Sequence, residues 1–216
     1  MRPDEFVDLL GRERATAILR CDDADVAARA LDAAVTGGFR IVEVTLTTPR
    51  ALELVRELSR RPGVVAGAGT VLTTDDAEAA VAHGARFLVS PVTDEAVIRK
   101  ATELGVAAIP GAHTPTELLA AHRAGAPLLK LFPAPAGGPA YLRSVLAPLP
   151  FLKIVPTNGV DLDNAADWLA AGAYGLGFVA SLFHADDLRH RRYEAIEDRA
   201  RRILERVRPA AAVTVG

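Results

Sequence analysis

The segment RFLVSPVTDEAVIRKATELGVAAIP, residues 86–110, contains one complete strand–helix–strand unit. The runs RFLVS and VAAIP at its two ends are short and apolar, as buried strands are. Between them, Asp94 lies near the helix N-cap, and Gly105 follows the helix as a C-cap residue. This order predicts two parallel strands joined by a helix, which is the repeating unit of a parallel α/β sheet.

The same unit recurs over most of the chain, and other helix-like segments also open on Thr or Asp and close on glycine. The predicted strands are 15–20, 41–46, 64–69, 86–90, 106–110, 128–132, 152–157 and 174–180. Eight units of even length favour a closed (β/α)8 TIM barrel built from a single domain, residues 1–216, with an open doubly wound sheet as the alternative. We also expect an extra N-terminal helix at 3–13, a last outer helix at 186–208 and a frayed tail at 210–216.

The composition is ordinary for a soluble globular protein, with 50% hydrophobic residues, 24% charged residues and a net charge of −2. This balance gives no reason to expect a nucleic-acid or membrane partner. The basic residues of 186–208 alternate with acidic ones, which is typical of a solvated helix face. The single cysteine fits a reducing compartment and the charged N-terminus does not resemble a signal peptide, so we expect a cytoplasmic protein.

Two charged residues occupy predicted strands that are otherwise apolar. Glu43 lies in IVEVTL and Lys130 lies in PLLKLFPAP. Since a barrel carries its active site at the carboxyl ends of its strands, both side chains can converge there. A buried ion pair with no catalytic role is one interpretation. The polar residues Arg20, Thr70 and Thr157 at other strand ends favour a site for a carboxylate or keto acid.

Lys130 is the candidate nucleophile among only three lysines in the chain. Lys153 lies near the start of its predicted strand and Lys100 on a predicted helix, both away from the expected site. Burial lowers the pKa of an amine, and a neutral lysine can attack a ketone to form an imine. Cleavage of the neighbouring carbon–carbon bond then needs an acid/base group, for which Glu43 is the candidate.

Six motifs occur in one order along the chain: EVTLTTPRAL, GAGTVL, FLVSP, IPGAHTPTEL, LKLFPA and PTNGV. From Ala17 to Phe183 the chain resembles the 2-keto-3-deoxy-6-phosphogluconate / 6-phosphogalactonate aldolase family. The resemblance implies a (β/α)8 barrel, a homotrimer, and reversible class I (Schiff-base) cleavage of a 2-keto-3-deoxy sugar acid to pyruvate and an aldehyde. It implies no cofactor and no metal.

The resemblance also implies roles for individual residues. By motif, Lys130 resembles the imine-forming lysine, and Glu43 resembles the general acid/base, acting through a water molecule. The residues that correspond to the substrate-binding positions are Arg20, Thr70 and Thr157 for the carboxylate, and Pro91 and Phe132 for the apolar wall beside the imine. Arg20 takes the carboxylate role because Thr47 stands where some members carry an arginine.

The chain departs from the family pattern where the phosphate is bound. Asn158-Gly159 replaces a Gly-Gly pair, and Val179 and Ala180 replace a Gly-Ser turn, with Ser181 one place late. A one-residue slip returns Ser181 to the phosphate; otherwise valine obstructs the close approach that glycine allows. An unphosphorylated keto-deoxy acid or 4-hydroxy-2-oxoglutarate is therefore an alternative substrate.

Two other classes of function compete with the imine mechanism. A metal-dependent pyruvate aldolase needs convergent His, Asp or Glu ligands, and only His113 of the five histidines lies near a predicted strand end. A non-catalytic keto-acid- or phosphate-binding barrel is compatible with the altered phosphate motifs. The presence of both Lys130 and Glu43 argues against it.

Overall fold

A computed structural model describes residues 1–208, and the tail predicted to be frayed, 210–216, lies outside the described residues. Helices and strands alternate along the chain. The strands are β1 Ala15–Leu19, β2 Ile41–Thr45, β3 Val65–Gly69, β4 Phe87–Val89, β5 Ala107–Ile109, β6 Gly111–Ala112, β7 Leu129–Leu131, β8 Ile154–Pro156 and β9 Leu176–Phe178. The helices are α1 Pro3–Glu13, α2 Ala24–Thr36, α3 Ala51–Ser59, α4 Thr74–Ala82, α5 Glu95–Glu103, α6 Pro115–Arg123, α7 Gly138–Leu146, α8 Ala165–Ala170, α9 Ala185–Arg189 and α10 Tyr193–Val207.

All paired strands are parallel, and the sheet curls. One sheet has the order β5-β4-β3-β2-β1-β9 and the other has the order β6-β7-β8. The predicted fifth strand, 106–110, corresponds to β5, and the short strand β6 follows beyond its predicted end, separated by Pro110, which has no N–H for the strand ladder. Its carbonyl still accepts a hydrogen bond from the Lys130 amide at 2.9 Å. The structure is therefore an α/β fold with a parallel curled sheet.

Helix α1 covers the starts of several strands. Its buried residues Phe6, Val7 and Leu10 belong to one apolar cluster with Ile41, Phe87, Leu128 and Val155. The rings of Phe6 and Phe87 stack with their centroids 4.5 Å apart. The amino ends of these strands are therefore closed by apolar packing, which leaves their carboxyl ends for polar chemistry.

Both predicted caps of helix α5 are confirmed. The Asp94 carboxylate accepts hydrogen bonds from the Ala96 and Val97 amides at the start of α5. Gly105 follows the helix with a φ of 70°, a conformation that favours glycine. Helix α5 consequently ends within a short turn that leads into β5.

The segment predicted as one outer helix, 186–208, is two helices, α9 and α10. Arg191 lies between them with a φ of 54°, so the backbone leaves the helical conformation there. The Arg192 amide donates to the Asp187 carbonyl at 2.8 Å, which closes the turn. Within the described part of the chain, no helix combines the length and the apolar character that crossing a membrane requires.

Candidate active site

Glu43 is a carboxylate inside the protein core. It lies on β2 with only 1% of its surface exposed, among buried apolar residues of the same strand. Its Oε1 atom has no hydrogen-bond partner among the described residues. Burial raises the pKa of Glu43 above its ordinary value, and the charges of Lys130 and Arg20 act in the opposite direction. A carboxyl group of this kind can hold a proton and release it to a bound substrate.

Gly69 provides the space that Glu43 occupies. A Cβ atom placed on Gly69 would lie 2.7 Å from Cδ of Glu43 and would overlap Oε1. Gly69 ends β3, which pairs with β2 so that Thr45 is opposite Gly69. The absence of a side chain on β3 therefore lets the Glu43 side chain lie across the neighbouring strand.

Lys130 is the second buried charged residue. It is the middle residue of β7, between Leu129 and Leu131, and is 8% exposed. Burial lowers the pKa of Lys130, Glu43 acts to raise it, and Arg20 lowers it further. The Phe132 ring lies 4.7 Å from Nζ, so an aromatic face borders the amine. A lysine with a lowered pKa carries a larger share of the neutral amine, which is the nucleophile.

Lys130 and Glu43 interact without a direct ion pair. Among the described residues, no contact of 4.0 Å or less joins the amine to the carboxylate. Each nevertheless influences the pKa of the other through its charge. Each group thus lies within the range of the other's charge, and no direct ion pair joins them.

Arg20 and Thr70 lie together at the ends of β1 and β3. Arg20 Nη2 donates a hydrogen bond to Thr70 Oγ1 at 3.3 Å. Thr70 has a φ of 61°, the left-handed region in which threonine is strained, so its position is fixed by the surrounding fold. The exposed guanidinium of Arg20 contributes to the pKa of both Glu43 and Lys130. The structure therefore joins these two predicted carboxylate-binding residues to the predicted catalytic pair.

Thr157 and the turn that follows it lie next to Lys130 in the sheet. The Thr157 amide donates to the Leu131 carbonyl at 3.0 Å, and the Thr157 side chain is buried. Asn158 and Gly159 adopt φ values of 62° and 116°, and Asn158 is exposed. The turn is therefore held at the end of β8, beside the strand that carries Lys130.

Pro91 and Phe132 border one small cavity. Its volume is about 270 Å³, and its lining includes Gly111, Ala112 and His113 in addition to these two residues. A side chain at Gly111 would collide with the Pro91 backbone, so the two strand ends pack closely. Neither this cavity nor the larger surface clefts of about 410, 440, 610 and 720 Å³ is lined by Lys130 or Glu43.

Ser181 lies in the turn after β9, but its hydroxyl is already engaged. Ser181 Oγ donates a hydrogen bond to the Val160 carbonyl at 2.7 Å. The turn itself is closed by the Leu182 and Phe183 amides, both of which donate to the Val179 carbonyl. The structure thus brings Ser181 to the turn that follows Thr157. It gives no contact between Ser181 and Lys130 among the described residues.

The other two lysines occupy different environments. Lys100 forms ion pairs with Glu78 and Glu103, each at 3.0 Å, and these partners raise its pKa. Lys153 precedes β8, and its Nζ lies 5.1 Å from the Tyr174 ring. Neither amine shares a site with Glu43, so Lys130 differs from both in burial, and it differs from Lys100 in the direction of its pKa shift.

His113 lies in the loop between β6 and α6, near the strand end where it was expected. Its Nδ1 lies 3.1 Å from the Pro133 carbonyl oxygen, and its ring stacks on Tyr141 with the centroids 6.2 Å apart. Within residues 1–208, no three His, Cys, Asp or Glu side chains are grouped as a metal site would require.

Two features of the site were missed from the sequence. Gly69 belongs to the GAGTVL motif, but the space that it leaves for the Glu43 side chain depends on which strand lies beside β3. The hydroxyls of Thr45 and Thr48 lie 3.2 Å apart, and the Cys21 amide donates to Thr48 at 3.3 Å, which ties the end of β2 to the loop after Arg20. The threonine-rich run TLTT was the available signal for this link.

The parallel α/β fold, together with a desolvated lysine and a buried carboxyl group that influence each other's pKa, defines a protein equipped for imine chemistry on a small carbonyl compound. Comparison with known families makes this specific. The family described as "KDPG and KHG aldolase" matches residues 8–198. The chain belongs to this family.

Individual relatives agree with this assignment. The chain is 40% identical to the 2-dehydro-3-deoxy-phosphogluconate aldolase of Pseudomonas aeruginosa, over 76% of each protein. It is 35% identical to the 2-dehydro-3-deoxy-6-phosphogalactonate aldolase of Escherichia coli, over 78% of this chain and 84% of the relative. A KDPG aldolase from Legionella pneumophila, captured with pyruvate as a covalent carbinolamine, superimposes with a TM-score of 0.83 at 25% identity, over 91% of this chain and 97% of the other.

Proposed function

We propose that the protein is a cytoplasmic class I aldolase that reversibly cleaves a 2-keto-3-deoxy sugar acid to pyruvate and an aldehyde. The observation that carries this proposal is the buried, pKa-lowered amine of Lys130 near the unpaired, pKa-raised carboxyl of Glu43. The family assignment supports it, and so does the covalent pyruvate carbinolamine of the Legionella relative.

The reaction begins with attack of the Lys130 amine on the C2 carbonyl. The carbinolamine loses water to give an iminium ion, which attracts electrons from the neighbouring bonds. Loss of the proton from the C4 hydroxyl then breaks the C3–C4 bond and releases the aldehyde, and the electron pair remains as an enamine on Lys130. Protonation at C3 and hydrolysis of the imine return pyruvate and the free amine.

Glu43 moves the protons in this sequence. A carboxyl group whose pKa is raised by burial can donate to the carbinolamine hydroxyl and later accept the C4 hydroxyl proton, acting through a water molecule. Its Oε1 is free of protein hydrogen bonds among the described residues, so it is available to substrate or water. Glu43→Gln retains the hydrogen-bonding shape and removes the transferable proton.

The pyruvyl carboxylate is bound by Arg20, with Thr70 and Thr157 donating hydroxyl groups. The 3.3 Å contact between Arg20 and Thr70 supports this role, because it holds both donors at one point of the site. Phe132 and Pro91 form the apolar wall beside the imine, and the 4.7 Å approach of the Phe132 ring to Nζ supports that placement. These apolar neighbours also keep Lys130 desolvated.

The far end of the substrate meets the turns at Asn158-Gly159 and 179–183. Val179 and Ala180 replace residues that favour a phosphate, and the Ser181 hydroxyl donates to Val160 instead. These features favour an unphosphorylated keto-deoxy acid or 4-hydroxy-2-oxoglutarate over a 6-phosphate. Several relatives are named for phosphorylated substrates. Comparing kcat/KM for 2-keto-3-deoxygluconate with that for its 6-phosphate therefore distinguishes an unphosphorylated substrate from a phosphorylated one. A preference of several hundredfold for the 6-phosphate would contradict this choice.

We also propose that the two sheets close into a (β/α)8 barrel forming a single domain, with α1 as an additional N-terminal helix. Three observations support closure. Only Pro110 separates β5 from β6, and a bridge between Thr157 and Gly177 joins β8 to β9. The Tyr174 amide also donates to the Ile154 carbonyl at 2.8 Å across the same seam.

A homotrimer is the assembly we propose. Leu72 and Val92 support it, because they are 49% and 52% exposed and follow the adjacent strands β3 and β4. Neighbouring exposed apolar side chains are suited to a subunit interface. Sedimentation velocity on the protein and on a Leu72→Asp, Val92→Asp variant tests this: we expect a trimer that the double substitution dissociates.

The proposed reaction is tested by measuring pyruvate release from 2-keto-3-deoxygluconate and from its 6-phosphate. We expect turnover on at least one of them and none from Lys130→Met. Wild-type turnover in Lys130→Met would contradict the imine mechanism.

A further inference from the structure

A buried carboxylate lies outside the proposed catalytic machinery, directly behind the turn after β9. Asp187 on α9 is 4% exposed. Its Oδ1 accepts from Arg192 Nε at 2.7 Å, and its Oδ2 accepts from Arg199 Nη2 at 2.6 Å. His184 Nδ1 lies 3.9 Å from the same Oδ2. Both carboxylate oxygens are therefore held by charged donors from the α9–α10 connection and from α10.

Arg199 also reaches the turn itself. Its Nη1 donates to the Leu182 carbonyl at 2.7 Å, while Nη2 holds Asp187. One planar guanidinium thus holds the Leu182 carbonyl and the Asp187 carboxylate in a fixed geometry relative to each other, which a single ammonium group cannot reproduce. The Arg199 side chain is only 18% exposed, so solvent offers little compensation for the loss of either partner.

The turn held in this way is connected to the second far-end turn. Ser181, immediately before Leu182, donates to the Val160 carbonyl, and Val160 follows Asn158-Gly159. A continuous series of hydrogen bonds therefore runs from Asp187 through Arg199 and the 179–183 turn to the turn after β8. None of its members lies on β2 or β7, the strands that carry the two predicted catalytic residues.

We propose that Asp187 and Arg199 are positioning residues that set the geometry of the far-end pocket and hence discrimination between aldehyde portions of the substrate. This proposal rests on the proposed aldolase function. The network acts on the part of the substrate beyond C4 and leaves the pyruvyl half unaffected. Two measurements on the same variants, one that involves only the pyruvyl half of the substrate and one that involves the whole substrate, therefore separate an effect on the far-end pocket from an effect on catalysis.

The first measurement is exchange of pyruvate methyl protons with deuterium, followed by NMR, which requires only imine and enamine formation. The second is kcat and KM for cleavage of 2-keto-3-deoxygluconate and its 6-phosphate. The variants are Asp187→Asn, Arg199→Met and Arg199→Lys. Arg201→Met is the matched control, because Arg201 lies on the same helix and pairs with Glu197 and Asp198 on the surface.

We expect pyruvate exchange within about 3-fold of wild type in all variants, given that the catalytic pair is untouched. KM for the better substrate should rise about 10-fold or more in Asp187→Asn and Arg199→Met, with kcat changed by less than about 3-fold, as loss of one buried charge-assisted hydrogen bond predicts. Arg201→Met should change neither. Arg199→Lys keeps a positive charge beside Asp187, so its melting temperature should be higher than that of Arg199→Met and close to the wild-type value. It loses the simultaneous contact with the Leu182 carbonyl, so its KM should stay high.

The proposal is overturned if exchange and cleavage fall together, if KM remains at the wild-type value, or if Arg199→Lys restores KM together with the melting temperature. Arg199→Lys supplies a folded variant should Asp187→Asn fail to fold. Absence of pyruvate exchange in the wild-type protein would instead refute the proposed function itself, and this inference with it.

Discussion

Gly69→Ala tests whether the position of Glu43 is what makes the site work. A Cβ atom at residue 69 falls 2.7 Å from Cδ of Glu43 and overlaps Oε1. Carbon atoms pack at about 3.5 Å or more, so the carboxyl group must move by about 1 Å. The strand backbone itself tolerates alanine, because φ at Gly69 is not in the left-handed region.

A displacement of that size has a predictable kinetic effect. Misplacing a catalytic group by about 1 Å costs about 100-fold in rate, or about 2.7 kcal/mol of transition-state stabilisation. Overpacking a tight core also lowers the free energy of unfolding by about 1–3 kcal/mol. For a chain of this length, that corresponds to a fall of about 2–12 °C in melting temperature.

Gly67→Ala is the matched control on the same strand. A Cβ atom at residue 67 overlaps the fully buried ring of Phe87, the first residue of β4, so this variant is overpacked to a similar degree but against the apolar cluster under α1 and not against the Glu43 carboxyl. We expect both variants to lose stability and only Gly69→Ala to lose kcat by about 100-fold. The assay is steady-state pyruvate formation at a temperature well below both melting points. Equal kcat in Gly69→Ala and Gly67→Ala would show that the position of Glu43 does not control the chemistry.

Three further predictions concern charged groups in the core. Glu43→Gln should slow cleavage by about 100-fold or more because the general acid/base is lost, while a pyruvate adduct still forms. Steady-state turnover measures the first effect, and trapping of the adduct in a single turnover measures the second. Lys130→Met should raise the melting temperature at pH 7. Because burial lowers the pKa of Lys130, the buried ammonium destabilises the native protein most at pH values below this lowered pKa. The stability gained in Lys130→Met should therefore fade as pH rises toward the unfolded pKa of about 10.4. Burial acts to raise the pKa of Asp187, but Arg199 and Arg192 outweigh it and lower the pKa, so Asp187 stabilises the protein above its unfolded pKa. That stabilisation should disappear as pH falls through the lowered pKa of Asp187. The free energies of unfolding of the wild type and of Asp187→Asn should therefore converge at low pH. A difference between them that stays constant with pH would contradict this prediction.

The repeating part of the fold was predictable because its signals are local. Asp94 and Gly105 mark the ends of one helix within a few residues of the strands on either side, and the structure contains both caps. Strand β6 was missed because proline at the end of an apolar run indicates a strand end, and the two residues of β6 lie beyond it. The break within 186–208 was missed because every residue there tolerates a helix, and the turn at Arg191 depends on Asp187, which precedes it, binding Arg192 and Arg199, which follow it.

The candidate site was predictable to the extent that it consists of residues out of place in the sequence. Glu43 and Lys130 are charges in apolar strands, and the structure buries both. Gly69 carries no such signal, because a glycine in a strand also fits a bulge. The link from Arg199 to Leu182 joins residues 17 positions apart on different elements, and nothing in the local sequence specifies it.

The most direct test of the central claim is reduction with borohydride in the presence of pyruvate, followed by peptide mapping. The chain has only three lysines, so the two alternatives, Lys100 and Lys153, serve as internal controls. The account predicts one reduced pyruvyl group per chain, on Lys130, and none in Lys130→Met. An adduct on either other lysine, or no adduct at millimolar pyruvate from an enzyme that turns over, would contradict it.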